Sequence, residues 1–229
     1  MRISIHQPHY LPWIQLVYKI IISDIFVFLD HVSYSKNDWV NRNKLKNSNG
    51  SFTLTIPVEK NNGSSIKETR ISGNDWRNKH LKSFYYNYNS AKYFAEIFPF
   101  LEGLYQRKWT YISEINYEIL IWVIDFLKLD VEVIISSELE LSSLKNDMLI
   151  DICKLTEGSE YITGKYSYNN YLDHELFKIN KIDIKPIEWK CPVYTQCYNK
   201  NGFIPDLSIF DLFMNHGYNS KDILLKSIL

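Results

Sequence analysis

The sequence predicts an α/β protein with a doubly wound, mostly parallel sheet, and three apolar runs support this prediction. Residues 2 to 6 read RISIH, residues 25 to 29 read IFVFL and residues 131 to 135 read VEVII. Short runs of this kind are typical of strands that are covered on both faces. Apolar residues at helical spacing from Trp13 to Ser23 complete a strand, helix, strand unit of about thirty residues, whose right-handed crossover implies further parallel strands.

The later part of the chain continues this alternation. Two long helical patterns, His80 to Tyr105 and Tyr111 to Lys128, precede the third strand. They are followed by alternating helices and strands at residues 144 to 157, 161 to 163, 171 to 180 and 182 to 189. We therefore predict one Rossmann-like domain over residues 1 to 229, with a helical segment at about residues 80 to 128. Residues 38 to 71 depart from the pattern, because Thr53 to Ile56 alternates in polarity, and they predict a small antiparallel insertion.

Composition excludes several functional classes. The 229 residues include 26 basic and 26 acidic side chains, so the chain lacks the net positive charge that non-specific nucleic-acid binding requires. The apolar stretch from Trp13 to Leu29 contains Lys19 and Asp24 and is too short for a comfortable membrane span. The opening residues do not resemble a secretory leader, so we expect a cytoplasmic protein that does not insert into a membrane. The three cysteines lack paired spacing and are expected to be reduced thiols.

Polar residues follow each predicted strand, and this placement gives the first group of candidate site residues. Ligands of open parallel sheets bind beyond the carboxyl ends of the strands. His6, Gln7 and His9 follow the first strand, and Asp30 and His31 follow the second. The later strand ends add Ser136, Ser137, Gly164, Lys165 and Tyr166. We predict that these residues meet in one cleft, with His6, His9 and Asp30 as catalytic groups and the others as substrate-binding groups.

A second group of substrate-binding candidates is Tyr10, Lys36, Trp39, Asn41 and Arg42. A tryptophan beside cationic side chains suits a site that stacks a ring and holds an anion. Structural alternatives stay open: the histidine at position 6 can simply bond a carbonyl, Asp30 can cap a turn, and this second segment can be a solvated loop. Zinc is an alternative because histidine and aspartate are acceptable zinc ligands. Their spacing does not place ligands on one face of a helix, however, so no metal is assigned.

Five motifs resemble the WbqC-like family. They are IHQPHYLPW at residues 5 to 13, FLDHVSYSKNDWVNRNKLK at 28 to 46, ISSEL at 135 to 139, YITGKYSYNNYLD at 161 to 173 and FIPDLSIFDLFMNHG at 203 to 217. Together they span essentially the whole chain. Family members tend to be encoded among genes for O-antigen and other surface polysaccharides, so the resemblance implies a pathway more firmly than a reaction.

The opening also resembles nucleotide-binding α/β enzymes of the nucleotidylyltransferase and pantothenate-synthetase type. In those enzymes, histidines of the first turn stabilise a phosphate during adenylylation, and a serine-containing phosphate motif follows a later strand. Here the usual His-x-Gly-His is absent, and His6-Gln7-Pro8-His9 has only its spacing. This similarity implies a fold rather than a function.

The polysaccharide pathway that the WbqC-like resemblance implies, taken with the cleft predicted at the strand ends, leads us to expect a transferase or ligase. It would place a small acyl or aminoacyl group, such as glycine, on the amine of a nucleotide-linked deoxyamino sugar. His6 would act as base, or stabilise phosphate if the acyl group is activated as an adenylate, with His9 assisting. ATP and magnesium are needed only if the donor is activated in place. A nucleic-acid partner is expected only if the donor is an aminoacyl-tRNA. The alternatives are a nucleotidylyltransferase acting on a sugar phosphate and a non-catalytic protein that binds a glycan or a partner of the pathway. The sequence does not predict the oligomeric state.

Overall fold

A parallel sheet with one antiparallel hairpin beside it organises the protein. The structure is a computed structural model that describes residues 1–59 and 63–226. Its strands are β1 (Arg2–His6), β2 (Ile25–Phe28), β3 (Arg42–Asn47), β4 (Gly50–Thr55), β5 (Glu132–Ile135), β6 (Glu160–Gly164) and β7 (Asp183–Ile187). The large sheet has the order β5-β2-β1-β6-β7, and all of its strands are parallel. The strand order therefore reverses at β1, as the predicted doubly wound fold requires.

Helices cover both faces of this sheet. They are α1 (Ile14–Ile21), α2 (Asp75–Tyr88), α3 (Phe94–Gln106), α4 (Ile112–Phe126), α5 (Lys145–Leu155), α6 (Lys165–Asn170), α7 (His174–Ile179), α8 (Ile209–His216) and α9 (Ser220–Leu225). On one face Ile3 and Ile5 pack with Ile152 of α5 and Phe177 of α7. On the other face Phe26 and Phe28 pack with residues of α1 and α4. This double coverage explains why the strands are apolar runs.

Two predicted helices were wrong in extent. The pattern from His80 to Tyr105 forms α2 and α3, because the chain turns back between them so that Tyr88 and Ile97 reach the same core. The helix predicted at residues 171 to 180 begins only at His174, where the Asp173 side chain accepts a hydrogen bond from the Leu176 N–H and caps α7. Residues 165 to 170, which precede the predicted helix, form α6, and the sequence pattern did not indicate this helix.

The predicted antiparallel insertion is confirmed as the β3–β4 hairpin, which pairs from Arg42↔Thr55 to Asn47↔Gly50. Residues 60 to 62 of the insertion lie outside the described residues. Lys46 is fully buried, and its Nζ donates to Gln196 Oε1 at 3.1 Å and to the Gly202 carbonyl at 2.6 Å. The hairpin is therefore fixed to the chain that precedes α8.

Within the described residues, none of the helices combines the length and the apolar composition needed to cross a membrane. The three cysteines form no disulfide.

Candidate active site at the carboxyl ends of the strands

The imidazole rings of His6 and His9 pack against each other at the end of β1. Their centroids are 4.6 Å apart, and the rings are nearly perpendicular. His6 Nδ1 lies 2.9 Å from the Gln7 carbonyl oxygen. A carbonyl can only accept, so Nδ1 carries the proton and Nε2 keeps its lone pair. Burial, and secondarily the charge of Lys19, lower the pKa of His6 to about 4, so the ring is neutral at pH 7.

His9 is more deeply enclosed than His6. It is 6% exposed, and its Nδ1 has no hydrogen-bond partner among the described residues. Burial lowers the pKa of His9 well below its ordinary value, and the positive charges of protonated His6 and of Lys19 act in the same direction. Both predicted catalytic histidines are therefore close together and neutral at pH 7.

Sequence reasoning missed Lys19, which lies where the strand order reverses. The pairing of β1 with β6 ends at Ser4↔Ile162, whereas its pairing with β2 continues to His6↔Phe28. Carbonyls of a parallel strand alternate between its two neighbours, and His6 O accepts from the β2 side, so Ile5 O faces β6. Lys19 Nζ donates to Ile5 O at 3.0 Å.

Its ammonium thus occupies the gap between β1 and β6. Lys19 is 6% exposed, and burial lowers its pKa to about 7. The only signal in the sequence was a lysine within an apolar helical pattern.

The amino end of α1 is also closed. In dinucleotide-binding folds this position receives a phosphate. Here the Ile14 N–H donates to the Leu207 carbonyl at 3.1 Å, and the Ile209 N–H donates to the Pro12 carbonyl at 2.8 Å. Trp13 and Ser208 form an isolated antiparallel bridge between the two segments. The chain before α8 therefore covers the place where the parallel-sheet rule puts a ligand.

An open cavity lies one strand away, at the carboxyl ends of β2 and β5. Its volume is about 650 Å³, within the usual range for small-molecule sites. Phe28, Tyr117 and Ile135 give it an apolar wall, while Asp30 and Ser137 contribute polar groups. The remaining lining residues are Lys67, Glu68, Arg70, Tyr111, Ser113, Glu114 and Glu138. Its lining does not include the two histidines at the end of β1, although His6 is the register partner of Phe28 on the adjacent strand.

The Asp30 carboxylate is fixed in the cavity wall by the two serines that follow β5. Oδ1 accepts from Ser136 Oγ at 3.1 Å and from the Ser137 N–H at 2.9 Å, while Oδ2 accepts from Ser137 Oγ at 3.0 Å. Asp30 is only 4% exposed. The structure therefore brings together three of the predicted site residues from strand ends that are more than a hundred positions apart in the chain.

His31 supports this arrangement from behind. Ser136 Oγ donates its proton to Asp30, so it accepts from the Asp30 N–H at 3.0 Å and from His31 Nδ1 at 2.7 Å. His31 Nε2 contacts Met148 Sδ at 3.2 Å, and burial lowers the pKa of His31. His31 therefore orients Ser136 instead of facing the cavity, whose lining it does not join.

Several predicted site residues lie elsewhere. Lys36, Asn41 and Arg42 line a separate cavity of about 250 Å³. The Arg42 guanidinium donates to the Asn37 backbone carbonyl, and the Trp39 ring lies 5.7 Å from Lys44 Nζ. These residues belong to the insertion, whose position is set by contacts distant in sequence, so the rule for strand ends does not apply to them.

Four further candidates lie outside the lining of the Asp30 cavity. Lys165 Nζ pairs with the Glu188 carboxylate, with both oxygens at 2.9 Å, on an exposed surface, and Gly164 and Lys165 are at the start of α6. Tyr166 is 69% exposed. Tyr10 is fully buried, and its hydroxyl bonds His80 Nδ1 at 2.7 Å and the Tyr105 hydroxyl. The prediction that Tyr10 binds substrate therefore finds no accessible surface, because the turn after β1 folds inward. Across residues 1–59 and 63–226, no three His, Cys, Asp or Glu side chains lie close enough to hold a metal ion.

The parallel sheet with helices on both faces, and the polar cluster at its carboxyl edge, define a Rossmann-like α/β protein. The chain belongs to the WbqC-like protein family, whose profile matches residues 7–223. It is similar to a protein of Mycobacterium tuberculosis (strain H37Rv) named Uncharacterized protein Rv1507c, with 31% identity over 227 residues that cover 97% of each chain. No solved structure matches the chain significantly.

Proposed function

We propose that this protein is an enzyme that transfers a small acyl or aminoacyl group, such as glycine, to the amine of a nucleotide-linked deoxyamino sugar in the assembly of a surface polysaccharide. The cavity beyond β2 and β5 is the proposed sugar site. The observation that carries the proposal is the Asp30 carboxylate, buried in the cavity wall and held by three hydrogen bonds from Ser136 and Ser137.

A fixed carboxylate of this kind is a suitable acceptor for an amine or a hydroxyl of the sugar. It is already oriented, so binding does not have to order it. The apolar wall formed by Phe28, Tyr117 and Ile135 suits the hydrophobic face of a sugar ring. The chemistry of the wall therefore matches a ligand that is polar on its edge and apolar on its face.

The reaction forms one C–N bond. The amine nitrogen attacks the carbonyl carbon of the activated acyl group, and the bond from that carbon to its leaving group breaks with its electron pair. The nitrogen becomes much more acidic once the new bond has formed. We assign its proton to His6 Nε2 through an intervening water, because His6 lies on the strand beside the cavity but does not line it. Because its pKa is about 4, His6 then passes the proton to solvent or to the leaving group without trapping it.

The activation of the donor decides the cofactors. A free amino acid requires ATP with magnesium: its carboxylate attacks the α-phosphorus, pyrophosphate leaves, and AMP is the leaving group of the later transfer. A thioester or an aminoacyl-tRNA brings its own leaving group and requires neither ATP nor magnesium.

The test is incubation of the purified protein with a panel of nucleotide-linked amino sugars, glycine and ATP with magnesium, followed by mass analysis of the products. Parallel reactions contain preactivated donors. We expect an N-acylated sugar nucleotide from the wild type and loss of turnover in His6→Gln and Asp30→Asn. The matched control is His174→Gln, an exposed histidine of α7 that bonds the Tyr168 carbonyl.

Full turnover in folded His6→Gln would remove the proposed role of that residue. Pyrophosphate release that depends on a sugar phosphate, without any amine, would establish the nucleotidylyltransferase instead. Sugar-nucleotide binding without turnover, unchanged when His6 and His9 are replaced, would establish a binding protein.

A further inference from the structure

The guanidinium of Arg70 is held at the edge of the Asp30 cavity by Tyr111. Its Nη2 donates to the Tyr111 hydroxyl at 3.1 Å, and its Cζ lies 5.0 Å from the centre of the Tyr111 ring. The backbone is fixed as well, because Arg70 pairs with Tyr111 as an isolated bridge and its carbonyl accepts from the Glu59 N–H at 2.9 Å. A guanidinium has five N–H donors, and the described residues accept from only one of its nitrogens.

Lys67 adds a second cation to the same cavity. Its backbone N–H donates to the Asp30 carbonyl at 2.9 Å, which ties the segment of residues 67 to 70 to the end of β2. Neither Lys67 nor Arg70 forms an ion pair with another described residue. Both cations are exposed, so a ligand entering the cavity meets them.

Two of the carboxylates near these cations already accept hydrogen bonds. Glu68 accepts from the N–H and the hydroxyl of Ser65, and Glu114 accepts from the N–H groups of Thr110 and Tyr111 at the start of α4. Glu138 lies on the wall beside Ser137. The cavity thus combines a buried carboxylate, suited to an amine or hydroxyl, with two cations that form no ion pair within the described part of the chain, suited to an anion.

We infer that Arg70, assisted by Lys67, binds the diphosphate of a nucleotide-linked substrate in this cavity. A planar guanidinium can donate two parallel hydrogen bonds to phosphate oxygens, and the lysine supplies a mobile point charge. Contact with Tyr111 orients the guanidinium before the ligand arrives. This assignment replaces Lys36 and Arg42 as the cations predicted to hold an anionic part of the substrate, and it rests on the proposed function in taking the ligand to be nucleotide-linked.

Calorimetric titration of the full chain tests the inference with inorganic pyrophosphate, a panel of nucleoside diphosphates and the corresponding nucleosides, and with glycine and acetate as simple carboxylates. We expect diphosphates to bind and nucleosides to bind much more weakly. Arg70→Gln should weaken diphosphate binding by about tenfold or more, and Lys67→Gln by less. Arg70→Lys should restore part of the affinity, and added salt should weaken wild-type binding.

The matched control is Arg107→Gln. That guanidinium also lies over an aromatic ring, 4.3 Å from the centre of Trp109, and it pairs with Glu118 outside the cavity. Its replacement should leave diphosphate affinity unchanged. Thermal unfolding of each variant shows whether the fold is retained, and Arg70→Lys supplies the result if Arg70→Gln does not fold.

The inference is overturned if both Arg70 variants bind diphosphates as the wild type does. It is also overturned if the affinity lost in Arg70→Gln is for glycine or acetate, because the guanidinium would then hold a carboxylate. The proposed function fails separately. Diphosphate binding that depends on Arg70, without an acylated product from any sugar, supports the inference and removes the function. Acyl transfer with an unchanged KM for the sugar nucleotide in both Arg70 variants supports the proposed function and overturns the inference about Arg70.

Discussion

Replacement of Lys19 by methionine should change how the stability of the protein depends on pH. Lys19 is buried, and its pKa is lowered from 10.5 to about 7. Between these values the unfolded chain holds a proton that the folded protein has released. The unfolded state therefore binds more protons, and the contribution of Lys19 makes the protein more stable as the pH rises from 7 toward 10.5.

The size of this contribution follows from the two pKa values. Protonation of Lys19 in the unfolded chain opposes folding most strongly at and below pH 7, and between pH 7 and pH 9 this penalty decreases by about 2 kcal/mol. Lys19→Met removes the titration but keeps a long apolar side chain. The free energy of unfolding of Lys19→Met minus that of the wild type should thus be about 2 kcal/mol more positive at pH 7 than at pH 9.

Urea denaturation followed by tryptophan fluorescence, at both pH values, measures this difference. The comparison of two proteins cancels other groups that titrate in this range, including the cysteine thiols, whose pKa values are raised by burial. The exposed Lys79 of α2, replaced by methionine, gives the baseline for loss of a lysine. A difference for Lys19→Met that does not vary with pH would refute the reasoning, since the pKa of Lys19 would then be the same in the folded protein as in the unfolded chain.

Three further substitutions test buried contacts, each by urea denaturation. Tyr10→Phe removes the hydroxyl that bonds Tyr105 and should lower the free energy of unfolding by about 1–2 kcal/mol, whereas an unchanged value would mean that the hydroxyl is not buried. Gly158→Ala should cost about 1–3 kcal/mol, because a Cβ there would lie 1.8 Å from Ile3 Cδ1; no loss would show that Ile3 moves freely. Lys46→Met removes two hydrogen bonds, although Gln196 Oε1 still accepts from the Ile204 N–H, so it should cost about 1–2 kcal/mol, and a stabilised variant would contradict the hydrogen bonds described.

The strands of the large sheet could be predicted because their residues are covered on both faces. Double coverage makes a run such as Ile25 to Phe28 apolar throughout, and this signal is local. The meeting of Asp30 with Ser136 and Ser137 was predictable for a related reason. Parallel neighbours end at one edge, so residues after β2 and β5 are neighbours wherever the intervening chain goes.

The location of the cavity could not be predicted in this way. The rule for parallel sheets points to the reversal of strand order, but there Lys19 and the segment around Leu207 fill the space. Both contacts depend on how chain segments far apart in sequence pack together. Arg70 was missed because it lies in an irregular segment, where neither a helical nor a strand period marks it.

The central strand, β1, is synthesised before the other strands of the sheet, but some of its neighbours are synthesised late. Carbonyl groups at positions 1 and 12 accept hydrogen bonds from residues 159–160 and 209. While the chain emerges from the ribosome, the β6 edge of β1 therefore remains unpaired until most of the polypeptide has been translated. Such long separations slow folding and leave an apolar strand with an unpaired edge for longer, so aggregation of newly made chains competes with their folding.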